Sequence, residues 1–82
     1  MTAQSIADQV RAYIIDSFLD GRRAITLGND SDLLGLLDSL QLLRMVVHLE
    51  ASFGIKVDDS DLTAENLGSV QRIASFLARK HG

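Results

Sequence analysis

The 82-residue chain has no cysteine and no proline. Without thiols it can form neither a disulfide staple nor a thiolate metal site. Aromatic residues make up only 5% and tryptophan is absent, so any core must be aliphatic. An excess of positive charge is also missing. Eight Lys and Arg stand against eleven Asp and Glu, for a net charge of −3, which removes the basic face that nucleic-acid phosphates require. No apolar run approaches the roughly 20 residues of a membrane-spanning helix. The segment Met1 to Asp8 has neither the basic start nor the apolar stretch of a signal peptide. A soluble cytoplasmic protein that binds neither nucleic acid nor membrane is the expectation.

Hydrophobic residues are plentiful at 46%, which favours a folded chain over a disordered one. The length suits one small domain, residues 1–82. A domain of this size buries only about 60% of its unfolded surface, so its stability margin is thin. The chain contains no internal repeat and no low-complexity tract.

Ile6, Val10, Tyr13 or Ile14, and Phe18 recur at helical spacing and predict a first helix from about Ser5 to Leu19, capped by Ser5 or Thr2 and stopped near Gly21. From Gly21 to Leu37 no period is sustained. Gly28-Asn29-Asp30-Ser31-Asp32 gathers turn formers, and Leu27, Leu33, Leu34, Leu36 and Leu37 are too apolar for a solvated linker. This long loop is expected to be pinned by its leucines, with a short helical turn near 32–36. Asp30-Ser31-Asp32 has a faint likeness to a calcium loop but lacks the later ligands. After the second helix, Ile55-Lys56-Val57 reads as an extended connector and Asp58-Asp59-Ser60-Asp61 as an acidic turn. A brief third helix is expected around 63–67. A last helix follows from Ser69 as cap to about Lys80, its core face marked by Val70, Ile73 and Phe76 or Leu77. Three long helices with short connections make a small all-α bundle.

The most informative stretch is 33–53. Asp38 is a strong N-cap residue and Gln41 stands three positions later, which completes a capping box. The second helix then runs from about Ser39 to Phe53. Leu42, Met45, Val46, Leu49 and Phe53 form one apolar stripe, the natural core face. Leu40, Leu43 and Val47 form a second stripe turned to the side. A domain this small cannot easily bury both, so the second stripe is available to a partner. Ser39 falls at the first helical position, where an attached anion would face free N–H groups and the positive end of the helix dipole. It is a candidate site for a phosphodiester.

Catalytic chemistry finds no support. His48 lies mid-helix and His81 next to the end, neither in an arrangement with an acid and a nucleophile. Asp38 and Glu50 form no recognisable dyad, and neither a phosphate-binding glycine loop nor a zinc-ligand spacing is present. No metal site and no catalytic residue are expected.

Gly35-Leu36-Leu37-Asp38-Ser39-Leu40, followed by the double-striped helix, resembles the acyl/peptidyl carrier protein family. Glu50-Ala51-Ser52-Phe53-Gly54-Ile55-Lys56-Val57 resembles that family's exit from its second helix, and Asn66-Leu67-Gly68-Ser69-Val70 its approach to the last one. The resemblance runs from about Ile6 to Leu77. It implies a bundle of three main helices plus a short third helix, with a long loop between the first and second. It implies that Ser39, flanked by Asp38 and Leu40, carries a covalent 4′-phosphopantetheine arm derived from coenzyme A. It also implies a monomer without catalytic activity that is served by a phosphopantetheinyl transferase and by acyl- or aminoacyl-loading enzymes. Partner contacts then fall to Leu40, Gln41, Leu43, Arg44, Val47 and Glu50. The side of this helix that is rich in carboxylates in fatty-acid carriers shows Gln41, Arg44, His48 and Ala51 here, with Glu50 the main acid. That departure points to a dedicated biosynthetic pathway, polyketide, nonribosomal peptide or related. The alternatives are a D-alanyl or aminoacyl carrier and an unmodified helical interaction module.

Overall fold

A computed structural model describes residues 2–18 and 27–81. Helices α1 (Ala3–Phe18), α3 (Ser39–Phe53) and α5 (Val70–His81) are long; α2 (Leu33–Leu36) and α4 (Ala64–Leu67) are single turns. A 3₁₀ turn spans Asp59–Asp61, and the described residues contain no strand. The stop expected for α1 at Leu19 to Gly21, and the loop as far as Thr26, lie outside the described residues.

Each long helix follows from its apolar spacing. In α1, Ile6, Ala7, Val10 and Ile14 are buried while Tyr13 is half-buried, so Ile14 rather than Tyr13 carries the core stripe. Thr2 is the cap: its Oγ1 accepts from Ser5 N at 3.1 Å. In α3, Met45, Val46, Leu49 and Phe53 are buried and Leu42 half-buried. The helix ends at Gly54 with φ +64°, the left-handed conformation that glycine adopts without a Cβ penalty. In α5, Val70, Ile73, Ala74, Phe76 and Leu77 are all buried, and Ser69 Oγ accepts from Arg72 N at 3.1 Å. Helices α1 and α5 pack closely together, and α4 packs on α5 and α2.

The described part of the long loop is held at both ends of its backbone. Leu27, Leu33 and Leu37 are buried. Asp32 caps α2 by accepting from Leu34 N and Gly35 N at 3.1 and 3.3 Å. Leu33 N donates to Gly68 O at 2.9 Å, and Gln71 N to Asn29 O at 2.8 Å. Arg11 Nη2 donates to Asn29 Oδ1. The α4–α5 junction is tight: a Cβ on Gly68 would lie 2.5 Å from Ala64 O.

The 58–61 turn is tied to α5 electrostatically. Lys80 Nζ lies 2.9 Å from Asp61 Oδ2 and 3.7 Å from Asp58 Oδ2. Lys80, and then the Asp58 N–H, hold the Asp61 carboxyl below its ordinary 3.8. The Asp61 carboxylate in turn raises Lys80 above its ordinary 10.5.

Phe53→Ala should cost about 3–5 kcal/mol, the usual loss for a buried phenyl, against a total of about 5–15 kcal/mol for a small domain. Thermal melting should show a large fall or the loss of a cooperative transition; a near-native melt would mean that the ring does not support the core. A lowered carboxyl pKa stabilises the fold above its unfolded value and loses that contribution as pH falls through the folded value. Acid titration of wild type should therefore show an unfolding component below pH 3.8 that Asp61→Asn lacks. At the alkaline end the sign reverses: the raised Lys80 contributes below 10.5 and its contribution fades as pH climbs past that value.

Candidate functional site

Ser39 is the first residue of α3, immediately after its cap. Asp38 is extended, at φ −81° and ψ 175°. Its Oδ1 accepts from Gln41 N at 2.8 Å, and Gln41 Oε1 accepts from Asp38 N at 3.0 Å. Each residue thus satisfies the other's orphan amide, and Gln41 is committed to this task. The amides of Ser39 and Leu40 have no carbonyl one turn back within the helix and stand at the positive end of its dipole. Buried Leu37 precedes the cap, and Leu37 N donates to Leu33 O at 2.9 Å, so the backbone cannot swing freely before Ser39. The Ser39 side chain is exposed. Among the described residues nothing is hydrogen-bonded to its hydroxyl, so it is free to be modified.

Beside Ser39 opens an apolar cavity of 360 Å³. One wall is Ser39, Leu42, Leu43 and Val46 of α3; the facing wall is Leu62, Thr63, Ala64 and Leu67, with Leu34 of α2 at the end. A polar chain tethered at Ser39 would start in solvent and could run into this greasy cleft. The chain itself supplies the exposed hydroxyl, the anion-tolerant helix mouth and the apolar cleft, and these fit a phosphodiester-linked arm that ends in a hydrophobic group.

The other predicted residues divide. Leu40, Leu43 and Val47 are 58%, 54% and 64% exposed, a solvent-facing stripe next to Ser39. Arg44 is exposed between them, with no ion pair among the described residues. Glu50 behaves differently from the expectation: it is half-buried, and its Oε2 accepts from Val57 N at 2.9 Å. The connector after α3 folds back and takes that carboxylate away from the outer face. His48 stacks on Tyr13, ring centroids 3.7 Å apart and 5° from parallel, with Nε2 3.1 Å from Ser52 Oγ. Tyr13 Oη donates to Arg44 O at 3.5 Å. Sequence reading missed this stack and the facing wall of the cavity; for the wall the only signal was Leu62, an apolar residue in an otherwise polar turn. Among the described residues no cluster of three or more His, Cys, Asp or Glu could hold a metal ion, and no helix is long and apolar enough to cross a membrane.

Comparison with known proteins bears directly on this geometry. Residues 15–77 match the family model described as phosphopantetheine attachment site. The chain is similar to an acyl carrier protein of Solidesulfovibrio magneticus, 33% identical over 81 residues, which covers 95% of this chain and 97% of that protein. It is similar to an acyl carrier protein of Thermotoga maritima, 44% identical over 45 residues; this match covers 55% of the chain and spans about half of that relative, 53%. A family match over most of the chain, a near full-length relative and an all-helical fold agree: the chain belongs to the phosphopantetheine-binding carrier proteins, whose cofactor is covalently attached 4′-phosphopantetheine and whose partners are a phosphopantetheinyl transferase and acyl-handling enzymes.

Proposed function

We propose that residues 1–82 act as one discrete acyl carrier in which Ser39 bears the 4′-phosphopantetheine arm, with Asp38 and Leu40 forming its immediate setting. The carrying observation is the unpartnered Ser39 hydroxyl at the mouth of a 15-residue capped helix, next to an apolar cavity. The arm supplies the thiol for thioester formation, which a cysteine-free chain otherwise lacks. The helix mouth favours the phosphodiester through its free amides and dipole. A serine hydroxyl needs a base to become a nucleophile. No described side chain is bonded to Ser39 Oγ, and in this reading the transferase supplies that base.

The apolar lining of the cavity favours acyl cargo over aminoacyl cargo, whose ammonium group would be desolvated there without a partner. The 360 Å³ of the cleft leaves room for an acyl chain. The outer face of α3 favours a dedicated pathway, polyketide, nonribosomal peptide or related, over generic fatty-acid partners. Of the two charged side chains within α3, Glu50 is bound to Val57 N, which leaves Arg44. An apolar stripe of Leu40, Leu43 and Val47 around one free guanidinium suits a loading enzyme with an apolar hollow and a carboxylate, since arginine pairs carboxylates with two parallel bonds.

Incubation with coenzyme A and a broad-specificity phosphopantetheinyl transferase should add one arm to wild type and none to Ser39→Ala, read by intact mass. An adduct elsewhere, or none from several transferases, removes the carrier reading in favour of an unmodified interaction module. Arg44→Glu should slow transfer from the cognate loading enzyme at low ionic strength, where screening is weakest, and the two rates should converge at high salt while circular dichroism stays unchanged. Equal rates at low salt would deny Arg44 any part in partner choice.

A further inference from the structure

The two walls of the cavity are held in different ways. On the α3 side, Leu42 and Val46 belong to a long helix whose neighbours Met45 and Leu49 are buried in the core. The facing wall is the segment Asp61–Leu67, in which only Leu67 is buried. Leu62 is 41% exposed, and Thr63, Ala64 and Glu65 are exposed as well. This wall packs on α5 and α2, and the cavity separates it from α3.

What secures the wall from outside is a row of polar contacts from α5. Arg72 Nη1 donates to Ala64 O at 3.2 Å. One turn pair further along, Arg79 Nη2 donates to Asn66 Oδ1 at 3.2 Å. Asn66 passes the restraint on, its Nδ2 donating to Asp61 O at 3.0 Å. Lys80 closes the row through its 2.9 Å ion pair with Asp61. The two arginine contacts are exposed and the Lys80–Asp61 pair is partly accessible, and surface ion pairs and hydrogen bonds hold weakly and weaken further with salt. A helix of one turn has almost no stability of its own, so the position of α4 is dictated by what grips it.

We propose that Arg72, Arg79 and Lys80 of α5, acting through Ala64, Asn66 and Asp61, form a latch that sets the width of the cargo cavity and thereby the acyl length the carrier shields. The inference rests on the reading of Ser39 and the cavity above. With the latch closed, the cleft is narrow, suits one range of chain lengths best and keeps water off the thioester. With the latch released, the wall moves away from α3. Short chains are then loosely held, and longer ones gain room. The three cations touch neither arm nor cargo; they are positioning residues for the wall.

The test uses the whole chain loaded at Ser39 from butanoyl-, octanoyl-, dodecanoyl- and hexadecanoyl-coenzyme A by a broad-specificity transferase. Thioester cleavage by hydroxylamine is timed for wild type, Lys80→Arg, Lys80→Gln and Asn66→Ala. Wild type and Lys80→Arg should protect one intermediate length best. Lys80→Gln and Asn66→Ala should cleave that thioester several-fold faster, with the best-protected length moved toward longer chains. Raising salt should move wild type toward the Lys80→Gln profile. In the unloaded proteins, amide exchange at 62–67 should quicken in the two latch variants while α1, α3 and the middle of α5 keep their protection. If Asn66→Ala does not fold, Lys80→Gln and the salt series on wild type carry the comparison. An identical length profile in wild type and folded latch variants overturns the inference and leaves the carrier reading standing. Loaded wild type with no length protected overturns it too, because the cavity then holds no cargo. Failure of any adduct to form at Ser39 removes the reading on which both depend.

Discussion

The reciprocal bonds between Asp38 and Gln41 fix Ser39 as the first residue of α3, and the placing of its hydroxyl depends on that starting point. A helix turns by about 100° per residue, so the spacing of the apolar residues decides which face each one joins. Met45, Val46, Leu49 and Phe53 enter the core, Leu42 and Leu43 line the cleft, and Leu40, Leu43 and Val47 face solvent. Ser39 is left at the mouth. A cap of this kind is worth only about 0.5–2 kcal/mol, less than the core burial that fixes the rotation of the helix, yet it decides that Ser39 stands at the helix mouth.

Around that helix nearly every polar group is occupied locally. Gln41 serves the cap, Glu50 holds the connector at Val57, His48 stacks on Tyr13 and meets Ser52, and Asp32 caps α2. This leaves the Ser39 hydroxyl and the Arg44 guanidinium as the polar side-chain groups of α3 with no bond to another described residue. A surface on which most groups are committed gives a partner few features to read, so those that remain carry disproportionate weight in recognition.

Much of this was legible before the fold. The bounds of α3, its capping box, its two stripes, the capping role of Ser69, the leucine-pinned loop and the short helical turn within it all rest on local signals: cap chemistry, 3.6-residue spacing and glycine stops. The family resemblance at Asp38-Ser39-Leu40 agreed with the comparisons. What local signals could not give was anything produced by two distant segments meeting. The cleft exists because α4 is gripped by α5 and stands off α3, a relation between Arg72, Arg79, Lys80 and residues 58–66 that no spacing encodes. Glu50 looked like a free surface acid because its position on the helix is peripheral; only the return of the connector brings Val57 N within 2.9 Å of it. Tyr13 and Ile14 were equivalent by period, and packing against α5 rather than propensity decided between them.

Among the described residues, the five large apolar side chains that remain exposed are Leu34, Leu40, Leu43, Val47 and Leu62. Scattered exposed leucines need no explanation, but these are not scattered. Leu34, Leu43 and Leu62 line the cleft beside Ser39, and Leu40 and Val47 continue from Leu43 along the same helix. A chain that buries so little in total could have gained stability by placing such residues inside. Instead it leaves them where a hydrophobic group tethered at Ser39 and a docking protein would each cover a part. The net charge of −3 opposes self-association through that patch by mutual repulsion. The cost in stability and the benefit in binding therefore fall on the same residues, and that coincidence distinguishes a carrier surface from an incompletely packed core.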